Sequence, residues 1–180
     1  MSESNRTPFV RTALPSDAEV VAAMAAELAA AVADPNPDLD AARFVRDGFG
    51  PDRWFECLVV EIGDEPIGFA LICRGFEAHT GKRRLWLGDL YVRAAARRSG
   101  AGRSLMAAVA SRALDLDCEA VYWEMWRPNA LGRVFYERLD AEETGDLAVM
   151  RLGGERLAAI ALFTQRGERG GPGKPNGRAR

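Results

Sequence analysis

The segment from Leu85 to Leu105, LWLGDLYVRAAARRSGAGRSL, contains residues suited to binding a phosphate group. A strand pattern leads into a basic, glycine-containing loop, and an amphipathic helix pattern follows directly. A helix N-terminus presents about four unpaired backbone N–H groups and the positive end of the helix dipole. Gly100 and Gly102 let the backbone approach an anion closely, and the arginines add positive charge. We therefore predict an anion-binding loop made of Arg97, Arg98, Ser99, Gly100, Ala101, Gly102 and Arg103.

Two common phosphate-binding loops do not match this segment. The Walker loop needs G-x-x-x-x-G-K-[ST] and the dinucleotide loop needs G-x-G-x-x-G, and neither pattern is present. The loop instead fits R/Q-x-x-G-x-G/A, with Arg97 at the first position and Gly100 and Gly102 at the glycine positions. A pattern this short has a structural alternative, which is a glycine-rich turn without a ligand. The strand before it and the helix after it favour the binding loop.

The elements that would position this loop follow from the hydrophobic periodicity. We predict, in chain order, a strand, two helices, three strands, a helix, a strand, a helix and a strand. Strands grouped early, followed by alternating helices and strands, favour an α/β (α+β) fold with a mixed sheet covered by helices. The predicted ranges are a strand at 9–13, a helix opened by Ser16 with Glu19 as capping partner, a helix at 39–49, strands at 55–62, 66–74 and 85–92, a helix at 100–116, a strand at 120–126, a helix at 129–139 and a strand at 147–152.

Composition excludes several classes of protein. A chain of 180 residues is long enough for one domain with a real core, and a net charge of -2 offers no overall basic field for nucleic acid. Cys57, Cys73 and Cys118 form no C-x-x-C pair and His79 is the only histidine, so we expect neither a metal site nor a thiol nucleophile. No apolar run reaches about 18 residues and no signal-peptide pattern is present. We therefore expect a soluble, cytoplasmic protein without membrane contact.

The two ends of the chain differ in composition from its centre. Residues 1–7 are polar, and we expect a flexible N-terminus there. Residues 166–180, RGERGGPGKPNGRAR, are basic and rich in glycine and proline, which predicts a disordered, solvated tail. Contact of this tail with nucleic acid or a membrane is the alternative. The folded domain is thus predicted at 8–165.

Two motifs together resemble the GNAT superfamily of N-acetyltransferases. The pattern R/Q-x-x-G-x-G/A is the family's loop for the pyrophosphate of coenzyme A. The segment 129–139, NALGRVFYERL, is similar to the GNAT pattern N-x-x-A-x-x-F-Y-E-x-L-G, with Gly132 in place of the common Ala and Asp140 in place of the common Gly. The resemblance implies the GNAT fold, with a mixed central sheet of about six to seven strands flanked by helices. It also implies acetyl-CoA as the acetyl donor.

Within GNAT, the chain is similar to the diamine (spermidine/spermine) and thialysine acetyltransferase group from about Phe9 to Leu157. The segments that carry this likeness are RDGFG at 46–50, CLVVE at 57–61, IGFA at 67–70, GK at 81–82 and DLYV at 89–92. The group implies a small-molecule primary amine as acceptor and a homodimer. A family Glu stands here as Gly88 and a family Trp as Leu147, and few acidic residues follow the first helix. An amine smaller or less charged than spermidine is therefore expected.

The resemblance also implies roles for individual residues. Tyr136 matches the family's general acid, whereas Asp89 and Glu77 are candidates for accepting the proton of the amine. For each of these three a structural or solvent-facing role is the alternative. A backbone N–H near Leu90, Tyr91 and Val92 would stabilise the oxyanion. Asn129 would orient the pantetheine arm of coenzyme A or cap its own helix.

Other readings of the same sequence stay open. Trp86, Trp123 and Trp126 alternate with polar positions and are expected in the core, while His79 is expected in an exposed loop. A GNAT enzyme acting on an amino acid, an aminoglycoside or a protein N-terminus is one alternative function. A catalytically inactive acyl-CoA-binding sensor is an alternative of another class. Gly88 motivates the sensor, and retention of Tyr136 opposes it.

Overall fold

The computed structural model describes residues 7–145 and 149–167. Five strands form one mixed sheet in these ranges, in the spatial order β1-β2-β3-β4-β5. The first four strands are antiparallel neighbours, and the fifth pairs parallel to the fourth. The strands are β1 Phe9–Thr12, β2 Glu56–Ile62, β3 Glu65–Glu77, β4 Lys82–Val92 and β5 Ala120–Tyr122. The helices are α1 Ala18–Ala31, α2 Ala41–Phe49, α3 Ala101–Asp115, α4 Ala130–Glu137 and α5 Glu155–Gly167.

The predicted fold class, α/β with a mixed sheet, is confirmed, but the strands differ in number and length. Five strands lie in the described ranges, fewer than the six to seven expected. β5 ends at Tyr122 rather than Trp126, because its partner β4 provides pairing positions only at Arg84–Trp86. The predicted strand at 147–152 is absent over 149–152, and residues 146–148, with Leu147, lie outside the described part.

Each face of the sheet packs against its own helices. The face toward α3 carries a core in which Leu85 and Leu87 of β4 pack near Leu105 and Val109 of α3. The opposite face is covered by α1 and α2, whose Val21, Met24 and Phe44 are fully buried against Val59 and Phe69. These two faces are called the α3 face and the α1/α2 face below. The layer formed by α1 and α2 matters for function because these two helices cover only part of the α1/α2 face.

A β-bulge at Gly88 changes which residues of β4 point to each face. Leu71 of β3 opposes Asp89, but the next residue, Ile72, opposes Leu87, so Gly88 is the extra residue. Before the bulge Leu85 and Leu87 pack on the α3 face, and after it Leu90 and Val92 do so. Since side chains alternate along a strand, the bulge shifts the alternation by one residue. Asp89 and Tyr91 therefore point to the α1/α2 face.

The start of α1 differs from the capping box expected at Ser16. Pro15–Asp17 form a 3₁₀ turn, and Ser16 lies inside it. The carboxylate of Asp17 accepts a hydrogen bond from the Leu14 N–H at 2.7 Å and two from the Arg11 guanidinium at 2.7 and 2.9 Å. Proline is favoured in the first turn of a helix, so the turn begins earlier than the apolar stripe suggested.

The chain divides into two compact units, Met1–Tyr136 and Glu137–Arg180. The sheet, α1 to α3 and most of α4 belong to the first unit, and α5 belongs to the second. The predicted flexible N-terminus is described only at Thr7 and the predicted tail only at residues 166–167; the remainder of both lies outside the described residues. No helix within residues 7–145 and 149–167 is long and apolar enough to cross a bilayer.

Candidate active site

The strands β4 and β5 separate at the bulge and leave an opening between them. Their pairing ends with Trp86 and Tyr122, whereas β4 continues to Val92. The N–H of Arg93 donates to Ile67 on the β3 side at 2.9 Å. Because backbone groups alternate between the two edges of a strand, the N–H groups of Leu90 and Val92 point into the opening. Among the described residues, these two backbone donors of β4 thus face the space beyond the last β4–β5 pair.

The predicted anion-binding loop lies at the end of this opening, just before α3. Gly100 has a φ of 94° and Arg98 a φ of 68°, both left-handed. The Gly100 carbonyl accepts the N–H of Ser104 at 2.9 Å, and the Ser99 Oγ accepts that of Ala101 at 3.3 Å. The N–H groups of residues 102 and 103 have no partner among the described residues. This arrangement of free N–H groups at a helix start forms an anion-binding concavity.

The arginines of the loop occupy different positions. Arg97 is held by a hydrogen bond from its Nε to the Val92 carbonyl at 3.2 Å, and its guanidinium lies 6.0 Å from the centre of the Tyr91 ring. Arg98 and Arg103 are exposed. A phosphate at the start of α3 would therefore meet backbone donors first, with exposed positive side chains around it. The residues present fit a pyrophosphate group.

The second motif packs directly against the loop. A Cβ built on Gly102 would lie 3.3 Å from Cε2 of Phe135 on α4, so the start of α3 and this helix are in close contact. Asn129 caps α4, since its Oδ1 accepts the Gly132 N–H at 2.9 Å. A Cβ on Gly132 would lie 2.6 Å from the Asn129 Nδ2, so an alanine at position 132 would require the end of the Asn129 side chain to shift. The capping role expected as one alternative for Asn129 is thus present.

Tyr136 lies at the end of this motif, beside the far side of the opening. Its ring packs 4.9 Å from the ring of Trp123, which directly follows β5, and 5.1 Å from the Phe135 ring. Burial raises the pKa of Tyr136 above its ordinary value. Within the described part of the chain its hydroxyl has no hydrogen-bond partner. The phenol is therefore protonated at neutral pH and free to donate.

Asp89 follows the bulge and points to the α1/α2 face next to the opening. Its side chain makes no ion pair or hydrogen bond with the residues that the structure describes. Burial raises the pKa of this carboxyl above its ordinary value. A carboxylate in such a place is a stronger base than a solvated one. Asp89 and Tyr136 are thus two titratable groups at the opening whose polar atoms have no hydrogen-bond partner among the described residues.

Glu77, the third predicted catalytic residue, is not brought to this opening. Glu77 pairs with Lys82 at the far end of the β3–β4 hairpin, whereas Asp89 pairs with Leu71. Glu77 and Leu71 are six positions apart along β3. This separation corresponds to roughly 20 Å along the strand. The Glu77 carboxylate is bonded by the Thr80 hydroxyl at 2.7 Å and by the Arg84 guanidinium. Hydrogen bonding by Thr80 lowers the pKa of Glu77.

Two features of the site were missed by sequence reasoning. Trp86 and Trp126, both expected in the core, are 40% and 53% exposed. Gly88 stands where the family has Glu, and it is also the extra residue of a bulge that lies just after the last β4–β5 pair. A single glycine inside a strand pattern is the available signal for a bulge.

The thiols take no part in this arrangement. Burial raises the pKa of Cys57 to about 12, which keeps this thiol protonated. In the described ranges, no group of three or more His, Cys, Asp or Glu side chains is placed to hold a metal ion.

Comparison with known proteins decides the family. The profile of the acetyltransferase (GNAT) family matches residues 22–141. The chain is a member of the GNAT acetyltransferase family. This range includes the bulge at Gly88, the loop at 97–103 and the motif that ends with Tyr136. Members of the GNAT family use acetyl-CoA as the acetyl donor, in agreement with the concavity at the start of α3.

Individual GNAT proteins are similar to parts of the chain. An L-ornithine N5-acetyltransferase from Arabidopsis thaliana is 31% identical over 117 residues, which is 64% of this chain and 47% of that protein. A thialysine N-epsilon-acetyltransferase from Bos taurus is 28% identical over 126 residues, or 64% of this chain and 74% of that protein. The chain thus spans about half the length of the ornithine enzyme.

Solved structures show the same fold. An integron cassette protein from the mobile metagenome of V. cholerae has a TM-score of 0.74 at 20% sequence identity, covering 86% of this chain and 98% of that one. This likeness supports the GNAT fold and does not address the acceptor.

Proposed function

We propose that this protein transfers the acetyl group of acetyl-CoA directly to the primary amine of a small molecule. The proposed acceptors are diamines, polyamines or thialysine-like amines. The observation that carries the proposal is the opening between β4 and β5. The anion-binding loop lies at one end of the opening. Asp89 and Tyr136 flank it, and their polar atoms have no hydrogen-bond partner in the described residues.

Acetyl-CoA supplies an acetyl thioester, and the reaction forms a C–N bond to the amine while the C–S bond breaks. Two protons must move during this exchange. The ammonium of the acceptor must lose one before it can attack, and the departing thiolate must gain one. Asp89 and Tyr136 are the two side chains proposed for these two proton transfers.

Asp89 is proposed to take the proton of the amine, directly or through water. An alkyl amine with a pKa of about 10.4 is almost entirely protonated at pH 7, so a base is required. The carboxylate attracts the ammonium and, because burial raises its pKa, accepts a proton more readily than a solvated aspartate. A side chain at position 88 is not needed for this step.

The backbone of β4 is proposed to stabilise the negative charge that develops on the acetyl oxygen. The N–H groups of Leu90 and Val92 point into the opening and are not used by the sheet. Fixed backbone donors of this kind stabilise an oxyanion without reorganising during the reaction.

Tyr136 is proposed as the general acid that protonates the thiolate of coenzyme A. Its raised pKa keeps the proton on the phenol at neutral pH. The contact with Trp123 fixes the ring at the side of the opening where β5 ends. Direct transfer needs no covalent acyl-enzyme, and the protonated, buried Cys57 offers no nucleophile.

The acceptor class is supported by the printed activities of the relatives. The Arabidopsis protein is named for acetylation at N5 of L-ornithine, and the bovine protein for acetylation at the ε-nitrogen of thialysine. Both names describe a primary amine at the end of a flexible chain. One carboxylate at the opening, Asp89, suits a single such ammonium.

The test is the release of free coenzyme A from acetyl-CoA with a panel of amines. The panel contains spermidine, putrescine, thialysine, lysine, an aminoglycoside and a peptide with a free N-terminus. Release that depends on a small alkyl amine supports the proposal. Release only with the aminoglycoside or the peptide would replace the acceptor class. Tight acetyl-CoA binding without release for any amine would favour the sensor.

A homodimer is proposed from the diamine acetyltransferase group. Sedimentation equilibrium would test it: a mass near twice the 19.6 kDa of one chain is expected. A monomer at micromolar concentration would contradict it.

A further inference from the structure

Within the unit Met1–Tyr136, part of the α1/α2 face lies beyond the helices α1 and α2. Cross-strand pairing places Cys73, Trp86 and Tyr122 in one row of this face and Gly75 and Arg84 in the next. Trp86 is 40% exposed and Gly75 is exposed, whereas Phe69 and Tyr91, two rows back under the helices, are buried. We call the surface formed by Trp86, Tyr122 and Arg84 the open strip.

The open strip begins at the proposed catalytic carboxylate and ends at a cation. Asp89 opposes Leu71, and Arg84 opposes Gly75, four positions farther along β3. All of these side chains point to the same face, and the two ends are about 13 Å apart along the strand. An acceptor whose amine meets Asp89 would therefore lay its chain over Trp86 and approach Arg84.

Arg84 has unused hydrogen-bonding capacity. Its guanidinium lies 4.5 Å from the centre of the Tyr122 ring, and one of its nitrogens bonds Glu77. Its Nε is buried and has no partner in the part of the chain that the structure describes. An arginine offers five N–H donors in a planar fork suited to a carboxylate. The aromatic stacking fixes this fork at the end of the strip.

The charged groups around Arg84 are already paired among the described residues. Arg84 bonds Glu77, and Lys82 bonds Glu119. The His79 Nε2 lies 3.8 Å from Glu77 and carries a charge only when protonated. A second ammonium at this end would meet the Arg84 guanidinium while both nearby carboxylates are engaged by other cations. The end of the strip therefore disfavours a diamine that spans it.

We propose that Arg84 determines acceptor specificity by binding a carboxylate at the far end of the acceptor. The favoured acceptor is a small aliphatic amine that carries a carboxylate at its other end, with its chain lying over Trp86. This inference rests on the proposed function and narrows it, because it separates amino-carboxylates from diamines and polyamines.

The test compares three acceptors of matched chain length: 6-aminohexanoate, 1,6-diaminohexane and hexylamine. We expect kcat/KM for 6-aminohexanoate to exceed the other two by about tenfold, since a charge-assisted bond to arginine contributes at this scale. The variant Arg84→Gln should remove this preference and leave the rate with hexylamine unchanged within about twofold. Arg84→Lys keeps the positive charge and should therefore retain part of the preference for 6-aminohexanoate.

The matched control is Arg83→Gln. Arg83 is adjacent in the chain, is exposed, and contacts the Leu116 carbonyl at 3.2 Å on the α3 side rather than the open strip. It should keep the preference for 6-aminohexanoate. Equal rates for the carboxylate and the diamine in the native protein, or a preference that survives Arg84→Gln, would overturn the proposal.

Binding separates this proposal from the proposed function. Tryptophan fluorescence can follow binding of 6-aminohexanoate and 1,6-diaminohexane to the native protein with coenzyme A present. Tighter binding of 6-aminohexanoate that is lost in Arg84→Gln supports the subsite even if no acetyl transfer is seen. Transfer to all three acceptors without such selectivity supports the function and rejects the subsite.

Discussion

Gly102, in the first turn of α3, lies against the ring of Phe135 on α4, at a distance that leaves little room for a side chain. A Cβ at position 102 would be 3.3 Å from Cε2 and 3.4 Å from Cζ of that ring. The loop that would bind the pyrophosphate and α4, which contains Tyr136, are thus packed together. A change at their contact should therefore affect both donor binding and catalysis.

The first prediction is that Gly102→Leu raises the KM for acetyl-CoA by about tenfold or more, because a branched side chain must displace Phe135 or the loop. Gly102→Ala is the matched control. Its Cβ needs the ring to yield by only a few tenths of an ångström, so its KM should stay within about threefold of native. Steady-state kinetics with acetyl-CoA as the varied substrate gives both values. A leucine variant with native KM would show that the contact does not shape the loop.

The second prediction concerns Gly100→Asp. Gly100 has a φ of 94°, and a carboxylate there would oppose an anion at the start of α3. Gly63→Asp is the matched control, because Gly63 has a φ of 64° and open space in the β2–β3 turn. Both changes should lower the free energy of unfolding by about 1 kcal/mol. Only Gly100→Asp should weaken acetyl-CoA binding, measured by calorimetry, and equal affinities in the two variants would remove the loop assignment.

The third prediction is that Tyr136→Phe lowers kcat by about 10²-fold, the scale of general acid catalysis. The Kd for acetyl-CoA should change little, since the aromatic ring and its contact with Trp123 are kept. Thermal unfolding should also be unchanged within error. Saturating kinetics together with equilibrium binding separates the two quantities. Native kcat in this variant would assign the proton transfer to another group.

The fourth prediction links activity and stability at Asp89. Burial raises the pKa of this carboxyl in the folded protein above its unfolded value, so the stability that it contributes is fully present below the unfolded pKa. That stability is lost as pH rises through the folded pKa. Asp89→Asn removes the buried charge and should raise Tm at pH 7 but not at pH 4. The same variant should lose about 10²-fold in kcat.

The Asp89 experiment needs calorimetric scans and rates at both pH values. A variant that is less stable at pH 7 would mean that the carboxylate is a structural partner. Full activity at pH 7 would mean that water or the backbone accepts the proton.

The local parts of the fold were predictable from sequence, and the reason is their periodicity. The apolar stripe of α3 and the strand before it identify the loop between them, and the glycines at 100 and 102 identify its chemistry. The start of α1 was not predictable in the same way. Ser16 followed by Glu19 matches a capping box, but Pro15 begins a 3₁₀ turn, and Asp17 takes the hydrogen bonds instead.

The site was only partly predictable, because its side chains are brought together by the pairing register of the strands rather than by closeness in the sequence. Asp89 and Glu77 are both acidic and both belong to the β3–β4 hairpin, yet Glu77 lies six positions along β3 from Leu71, the partner of Asp89. Trp86 alternates like a core residue but faces a part of the sheet that α1 and α2 do not reach. No local pattern shows how far a helix layer extends.

The bulge residue Gly88 should tolerate a change of amino-acid type but not removal from the chain. A Cβ there would meet only the Leu71 carbonyl oxygen, at 3.8 Å, so a library of substitutions at position 88 should yield folded proteins with altered acceptor chemistry. Deleting the residue is a different kind of change. It would remove the bulge and make β4 a regular strand, with Asp89 and Tyr91 still on the α1/α2 face and Leu90 and Val92 still on the α3 face. The irregularity that accompanies the opening between β4 and β5 would then be lost. Evolution of new specificities here is therefore expected to proceed by replacement of residues, with the length of β4 held constant.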